Sequence, residues 1–136
     1  MPILKSNHKC IGITLGDPSG IGPEIIAQSL ARPSIRKLGP FKLIGDYAVY
    51  RKYCASGYAN CSFVDIKSIQ PGQWQLGKPN RLAARAALNA LHKAVELLKA
   101  KEISSLVTAP VCKESIHQID RSFQGHTEFL ADAFGI

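Results

Sequence analysis

Apolar and polar positions along this chain group into blocks that predict strand, helix and strand again. CIGITL (10–15) is a short apolar run rich in β-branched residues and ended by Gly16, the pattern of a buried strand. Pro23 suits the first position of a following helix. Gly22 is then its N-cap, Glu24 lies near its positive end, and Ile21 and Ile26 staple the incoming chain. That helix is expected to reach about Ala31 and to stop before Pro33. FKLIG (41–45) predicts a second strand, Asp46 the cap of a helix through about Ser56, and CSFVDI (61–66) a third strand. Residues 67–79 are polar and punctuated by Gly and Pro, which predicts a loop.

The clearest helix spans 80–100. Ala84, Leu88, Leu91, Val95 and Leu98 recur on one face, and Arg81, Arg85, Asn89, Lys93 and Glu96 lie opposite. SSLVTAP (104–110) predicts a fourth strand, Lys113 to Ile119 a short helical stretch, and Thr127 the cap of a last helix running through Phe129 to Phe134. Strands alternating with helices predict an α/β fold with a mainly parallel sheet covered on both faces. With no internal repeat and no linker, residues 1–136 are expected to form a single unit.

Composition narrows the functional classes. The 136 residues are 46% hydrophobic and 20% charged, a globular balance. The net charge of +7 is spread over Arg32, Arg36 and Lys37, then Arg51 and Lys52, then Arg81 to Lys101. No aromatic-interleaved patch accompanies these cations, so attraction for an anionic small substrate is favoured over nucleic acid. No apolar run approaches the ~20 residues of a membrane span, and MPILKSNHKC lacks a secretory apolar core, so a cytoplasmic location is expected. Cys10, Cys54, Cys61 and Cys112 are widely spaced with no C-x-x-C pair, and are read as reduced, buried thiols.

In open α/β sheets, ligands sit at the carboxyl ends of the strands, and three polar clusters fall there. They are Gly16-Asp17-Pro18-Ser19-Gly20, the stretch from Thr108 through Ala109 and Pro110 to Lys113, and Gly125-His126-Thr127-Glu128. The first lacks the Lys of a Walker loop and the glycine spacing of a dinucleotide fingerprint, which leaves it a stiff turn or a ligand wall. Lys113 is either a cation for a phosphate or carboxylate, or a surface cap. His126 opens a helix whose unpaired N–H groups suit an anion, although a lone histidine is commonly structural. His8, His92 and His117 are read as having no functional part.

ITLGDPSGIGPEI, LVTAPVCKESI and FQGHTEFLADAFG, in this order and spacing, together with GKPNRLAARAALNALHKAVEL, resemble the N-terminal part of the PdxA family. These are the 4-hydroxythreonine-4-phosphate dehydrogenases of pyridoxal phosphate biosynthesis. The likeness runs from about Ile11 to the last residue. It implies the isocitrate/isopropylmalate dehydrogenase-like three-layer α/β/α fold, incomplete in this chain, and a cytoplasmic homodimer. It also implies NAD or NADP and a divalent metal (zinc, cobalt or magnesium) as cofactors. The implied reaction oxidises the secondary alcohol of 4-phosphohydroxy-L-threonine, after which the β-keto acid loses CO2. By the same likeness His126 and Thr127 match the family's substrate-contacting pair. Thr108 and Lys113, with Gly16, Asp17, Ser19 and Gly20, are expected as site wall.

The family's three metal-binding histidines lie beyond the GHTE motif, so no metal ligand and no catalytic base is assigned to this chain. HQIDRS (117–122) also replaces the usual small-residue turn before that motif. A lone chain of this extent is therefore expected to be incompetent as a dehydrogenase. The alternatives are a related dehydrogenase of 4-phosphoerythronate, 4-phosphothreonate or a cis-dihydrodiol, and a non-catalytic truncated remnant that binds an anion or a partner chain.

Overall fold

A computed structural model describes residues 9–54 and 56–136, which leaves His8 outside the described residues. Four strands, β1 (Ile11–Thr14), β2 (Phe41–Gly45), β3 (Cys61–Asp65) and β4 (Ser105–Thr108), form one sheet in the order β3-β2-β1-β4. Every pairing is parallel, with Ile11 opposite Phe41 on one side and Ser105 on the other. The helices are α1 (Gly22–Leu30), α2 (Pro33–Arg36), α3 (Tyr47–Tyr50), α4 (Arg81–Lys99), α5 (Lys113–His117) and α6 (His126–Phe134).

Strand alternation divides the core into two layers around the sheet. Ile13, Leu15, Phe41 and Leu43 pack with Ile26, Ala27 and Leu30 of α1 and Tyr50 of α3. Ile44, Val64 and Leu106 point the other way, against Ala90, Ala94 and Leu97 of α4. This is the expected three-layer arrangement. β4 is an outer strand whose Val107, on the α1 side, is 53% exposed.

Helix α4 is buried on two sides. The apolar stripe read from the sequence is buried as expected, with Ala84, Leu88 and Leu91 packed against Ile116 of α5 and Phe123. The sheet-facing side is built largely from alanines, with Ala90 and Ala94 fully buried. A helix enclosed on two sides needs small residues where the backbones approach, and Leu97 is buried beside them with Leu98 half-buried in the same cluster. The N-terminus matches expectation more closely, with Asn80 accepting a hydrogen bond from the Ala83 amide at 2.8 Å.

Other boundaries shift for local reasons. The N-cap of α1 is Ile21, not Gly22. Gly22 is already helical and lies so close to the Leu15 carbonyl that a Cβ would meet it at 2.2 Å. Pro33 ends the path of α1 as expected but also opens α2, which the sequence did not suggest. Asp46 precedes α3 without capping it through its side chain. That helix closes at Tyr50, and single turns carry the chain to Cys54, where the Cys54 and Tyr53 amides donate to the Tyr50 carbonyl. Gly125, not Thr127, caps α6, and Thr127 lies within it. All four cysteines are unpaired and half-buried, less enclosed than expected.

Candidate anion site at the strand ends

The loops following β1 and β4 are joined. Leu15 donates to the Ile44 carbonyl at 3.0 Å, and the Asp17 amide donates to the Pro110 carbonyl at 3.1 Å. Gly16 has φ 76° and leaves no room for a side chain, since a Cβ would lie 2.3 Å from the Pro110 oxygen. Only glycine satisfies both demands at little cost.

Asp17 is buried, and its Oδ1 accepts from the Ser19 amide at 2.7 Å and the Ser19 hydroxyl at 2.5 Å. This Asx turn explains the Asp-Pro-Ser-Gly sequence as local backbone chemistry. Asp17 Oδ2 and the neighbouring Thr14 Oγ1 are buried without a hydrogen-bond partner among the described residues. The Ser19 carbonyl accepts from the Gly77 amide at 2.9 Å, tying the 67–79 loop to the same turn. Gly20 is less crowded, its nearest neighbour for a Cβ being the Asp17 carbonyl at 3.5 Å. Thr108, half-buried at the end of β4, stands in register with Thr14.

The second grouping is Lys113 with the start of α6. Lys113 is exposed at the first position of α5, and its side chain lies along Gly125. A Cβ on Gly125 would sit 3.3 Å from Lys113 Cε, 3.4 Å from Lys113 Nζ and 3.1 Å from Glu128 Oε2. His126 follows directly. Its Nε2 is buried with no partner among the described residues, and its ring stands edge-on to Phe123 with centroids 6.5 Å apart. Burial, and then the neighbouring Lys113 charge, hold the His126 pKa below its ordinary 6.5, so the neutral imidazole predominates at pH 7. Thr127 is exposed one residue on. No side chain caps α6, so its first-turn N–H groups remain available.

Phe123 forms the platform beside His126, and the 117–122 segment leads into it. Phe123 is buried against Leu91, Ile116 and Phe129. The His117 Nε2 bonds to the Phe123 carbonyl. Asp120 accepts from the Ser122 amide at 3.0 Å and hydroxyl at 2.6 Å, and those bonds hold its carboxyl below the usual range. His117 thus has a structural partner, a carbonyl six residues on.

Of the three expected clusters, the structure joins the first to the second through Asp17 and Pro110, and the second to the third through Lys113 and Gly125. No hydrogen bond among the described residues runs from Gly16–Gly20 to Gly125–Glu128. A groove of about 440 Å³ lies beside this site, between α4 and α6, and is lined by His92, Lys99, Asp120, Phe123, Phe129 and Asp132. Sequence reading also missed Asp46. It is buried, and its Oδ1 accepts from the Ser68 amide at 2.5 Å and the Ile69 amide at 2.9 Å. Desolvation raises its pKa above 3.8 despite those two bonds. Among the described residues, no group of three or more His, Cys, Asp or Glu could hold a metal ion.

Comparison with known proteins gives these observations a context. The family model described as pyridoxal phosphate biosynthetic protein PdxA matches residues 24–136. A 4-hydroxythreonine-4-phosphate dehydrogenase of Zymomonas mobilis is 37% identical, over 94% of this chain and 42% of its own. A Clostridium botulinum protein provisionally named D-threonate 4-phosphate dehydrogenase is 32% identical, over 93% of this chain and 43% of its own. The crystal structure of a 4-hydroxythreonine-4-phosphate dehydrogenase from Burkholderia phymatum superposes with a TM-score of 0.84 at 27% identity, covering 94% of this chain and 44% of that one. This chain therefore spans less than half the length of these relatives.

Proposed function

The chain belongs to the PdxA family, and from that premise we propose that it is the substrate-holding N-terminal portion of a dehydrogenase of vitamin B6 biosynthesis. The reaction is the NAD(P)-dependent oxidation of 4-phosphohydroxy-L-threonine at its secondary alcohol, followed by decarboxylation, in a cytoplasmic homodimer. Residues 1–136 form one unit of that enzyme. His126 and Thr127 bind the substrate. Gly16, Asp17, Ser19, Gly20, Thr108 and Lys113 form the wall of the site.

The observation that carries this reading is the buried, unpartnered Nε2 of His126 beside a cation at an uncapped helix start. A neutral imidazole there bonds to a phosphate or hydroxyl oxygen without itself needing a counter-charge. The uncapped N–H groups and the Thr127 hydroxyl add donors directed at the same anion. The nicotinamide, when bound, takes up the hydride. The described residues supply no metal cluster, so no step is assigned to a metal on this chain.

Calorimetric titration with 4-phosphohydroxy-L-threonine, with and without NAD and a divalent metal, tests the reading. Binding by the chain that is lost in His126→Ala is expected. Failure to bind, or binding indifferent to His126→Ala, overturns it. Metal-dependent NADH production by this chain would show that it is catalytically sufficient and exclude the remnant alternative.

The similarity to the Clostridium botulinum protein favours a second substrate, D-threonate 4-phosphate. It shares the phosphate and secondary alcohol but carries a hydroxyl where the first has an amine. Competition between the two ligands ranks them.

A further inference from the structure

We infer that Lys113 binds the phosphate of the substrate, with Gly125 as the gap through which its ammonium reaches the anion. The inference rests on the reading that His126 and Thr127 hold a phosphorylated hydroxy acid, and assigns to Lys113 the part that selects the phosphate.

Lys113 arrives from a different element than His126 does, since it opens α5 directly after the β4 loop. Its side chain then crosses to α6, where Cε and Nζ pack over the Cα of Gly125. Any side chain at 125 would occupy the space at 3.3–3.4 Å from those atoms. Gly125 is buried and adopts φ 159° and ψ −179°, a conformation L side chains rarely take. The conformation therefore favours glycine, and the bare Cα lets the ammonium lie at the helix start.

The charge on Lys113 remains available. The ion pairs among the described residues are Lys42–Glu102 at 3.8 Å and Lys93–Glu96 at 3.4 Å, and neither involves Lys113. Glu128 approaches the same Gly125 point, with Oε2 3.1 Å from the position of a Cβ, without closing a pair with Lys113. An entering phosphate meets the ammonium unpaired, with that carboxylate nearby. The buried Nε2 of His126, one residue from Gly125, supplies a second group without a protein partner. A doubly charged anion with several acceptor oxygens satisfies the ammonium, the imidazole and the helix N–H groups together. An uncharged hydroxyl would leave the ammonium unmatched, which makes Lys113 a determinant of preference for phosphorylated substrates.

The test titrates the chain with inorganic phosphate and, separately, with 4-phosphohydroxy-L-threonine, following the His126 ring by NMR. Lys113→Met is expected to weaken phosphate binding by roughly tenfold or more, and Lys113→Arg to restore most of it. Thermal melting checks that each variant is folded, and Lys113→Gln provides a second charge-free variant. Equal phosphate affinity in wild type and both charge-free variants overturns the inference, as does wild type that binds no phosphate. If phosphate binding depends on Lys113 while the phosphorylated hydroxy acid binds indifferently to His126, the inference stands and the proposed function falls.

Discussion

The amide of Asp17 donates to the carbonyl of Pro110 across 3.1 Å, and this bond joins the loops at the ends of β1 and β4. Because the strands are parallel neighbours, their carboxyl ends emerge side by side. The glycine between strand and acid lets the two backbones touch. One consequence is a sharp dependence on residue 16. Gly16→Ala places a methyl 2.3 Å from the Pro110 oxygen at φ 76°. We expect a loss of about 2 kcal/mol or more in urea unfolding. Wild-type stability in that variant would show that the loops need not touch.

Protonation of His126 opposes folding. Its pKa in the native protein lies below the ordinary 6.5 because burial and Lys113 both disfavour the imidazolium. Between the native and unfolded values the unfolded chain binds more protons, so stability rises with pH there and levels off above about 6.5. His126→Asn should flatten this part of the pH–stability curve. Lys113→Met should move the native pKa upward in an NMR titration, and an unmoved pKa would contradict the proximity of the two cations.

Glu128 and Lys113 both approach Gly125 without forming an ion pair, so removing the carboxylate should remove its repulsion of an entering anion. Glu128→Gln is expected to strengthen inorganic phosphate binding severalfold, an effect that shrinks at high salt. Calorimetry at two ionic strengths reads both the direction and the screening.

Asp46 serves the backbone of the 67–79 loop. Replacing it with Ala strands the buried amides of Ser68 and Ile69, which costs about 2–4 kcal/mol. Asp46→Asn keeps an acceptor and should lose much less. Because burial raises its pKa above 3.8, the native state holds this proton more tightly than the unfolded chain does. The contribution of Asp46 to stability therefore falls as pH rises from about 4 through the native value, the reverse of an ion-paired carboxylate. Comparing wild type with Asp46→Asn across that range isolates it.

The alanine face of α4 gives a packing prediction. Ala94 is fully buried against the sheet, so Ala94→Leu overpacks and should lower stability by about 1–3 kcal/mol. Leu98→Ala, at a half-buried position, should cost less. Denaturant titration of both variants separates the fully buried position from the half-buried one.

The parallel strands, the long helix and the strand-end clusters were legible because period-two and helical patterns, with Gly and Pro boundaries, are local signals. Contacts between distant segments were not. Leu88 and Leu91 of α4 marked a buried face, but not that it meets Ile116 and Phe123, and the alanines that meet the sheet carry little hydrophobic signal. Thr127 is the commoner capping residue, but α6 starts two residues earlier, after a Gly125 whose positive φ suits glycine, and Lys113, twelve residues earlier, lies beside it. The part played by Asp46 depends on amides more than twenty residues away, and nothing near it in the sequence announces them. His126 stood out from its neighbours alone, whereas its unpartnered nitrogen appears only in three dimensions.

The pairing of β1 with β4 also bears on how the site comes into being during folding. Ser104 reaches the Cys10 carbonyl across 94 positions of sequence. Closing so long a loop is entropically slow. The β1–β2 and β2–β3 units can pair earlier, whereas the Asp17–Pro110 bond forms only after β4 docks. The joint between the first two strand-end clusters is therefore a late product of folding. A trapped intermediate with β1, β2 and β3 paired would contain most of the sheet and lack that joint.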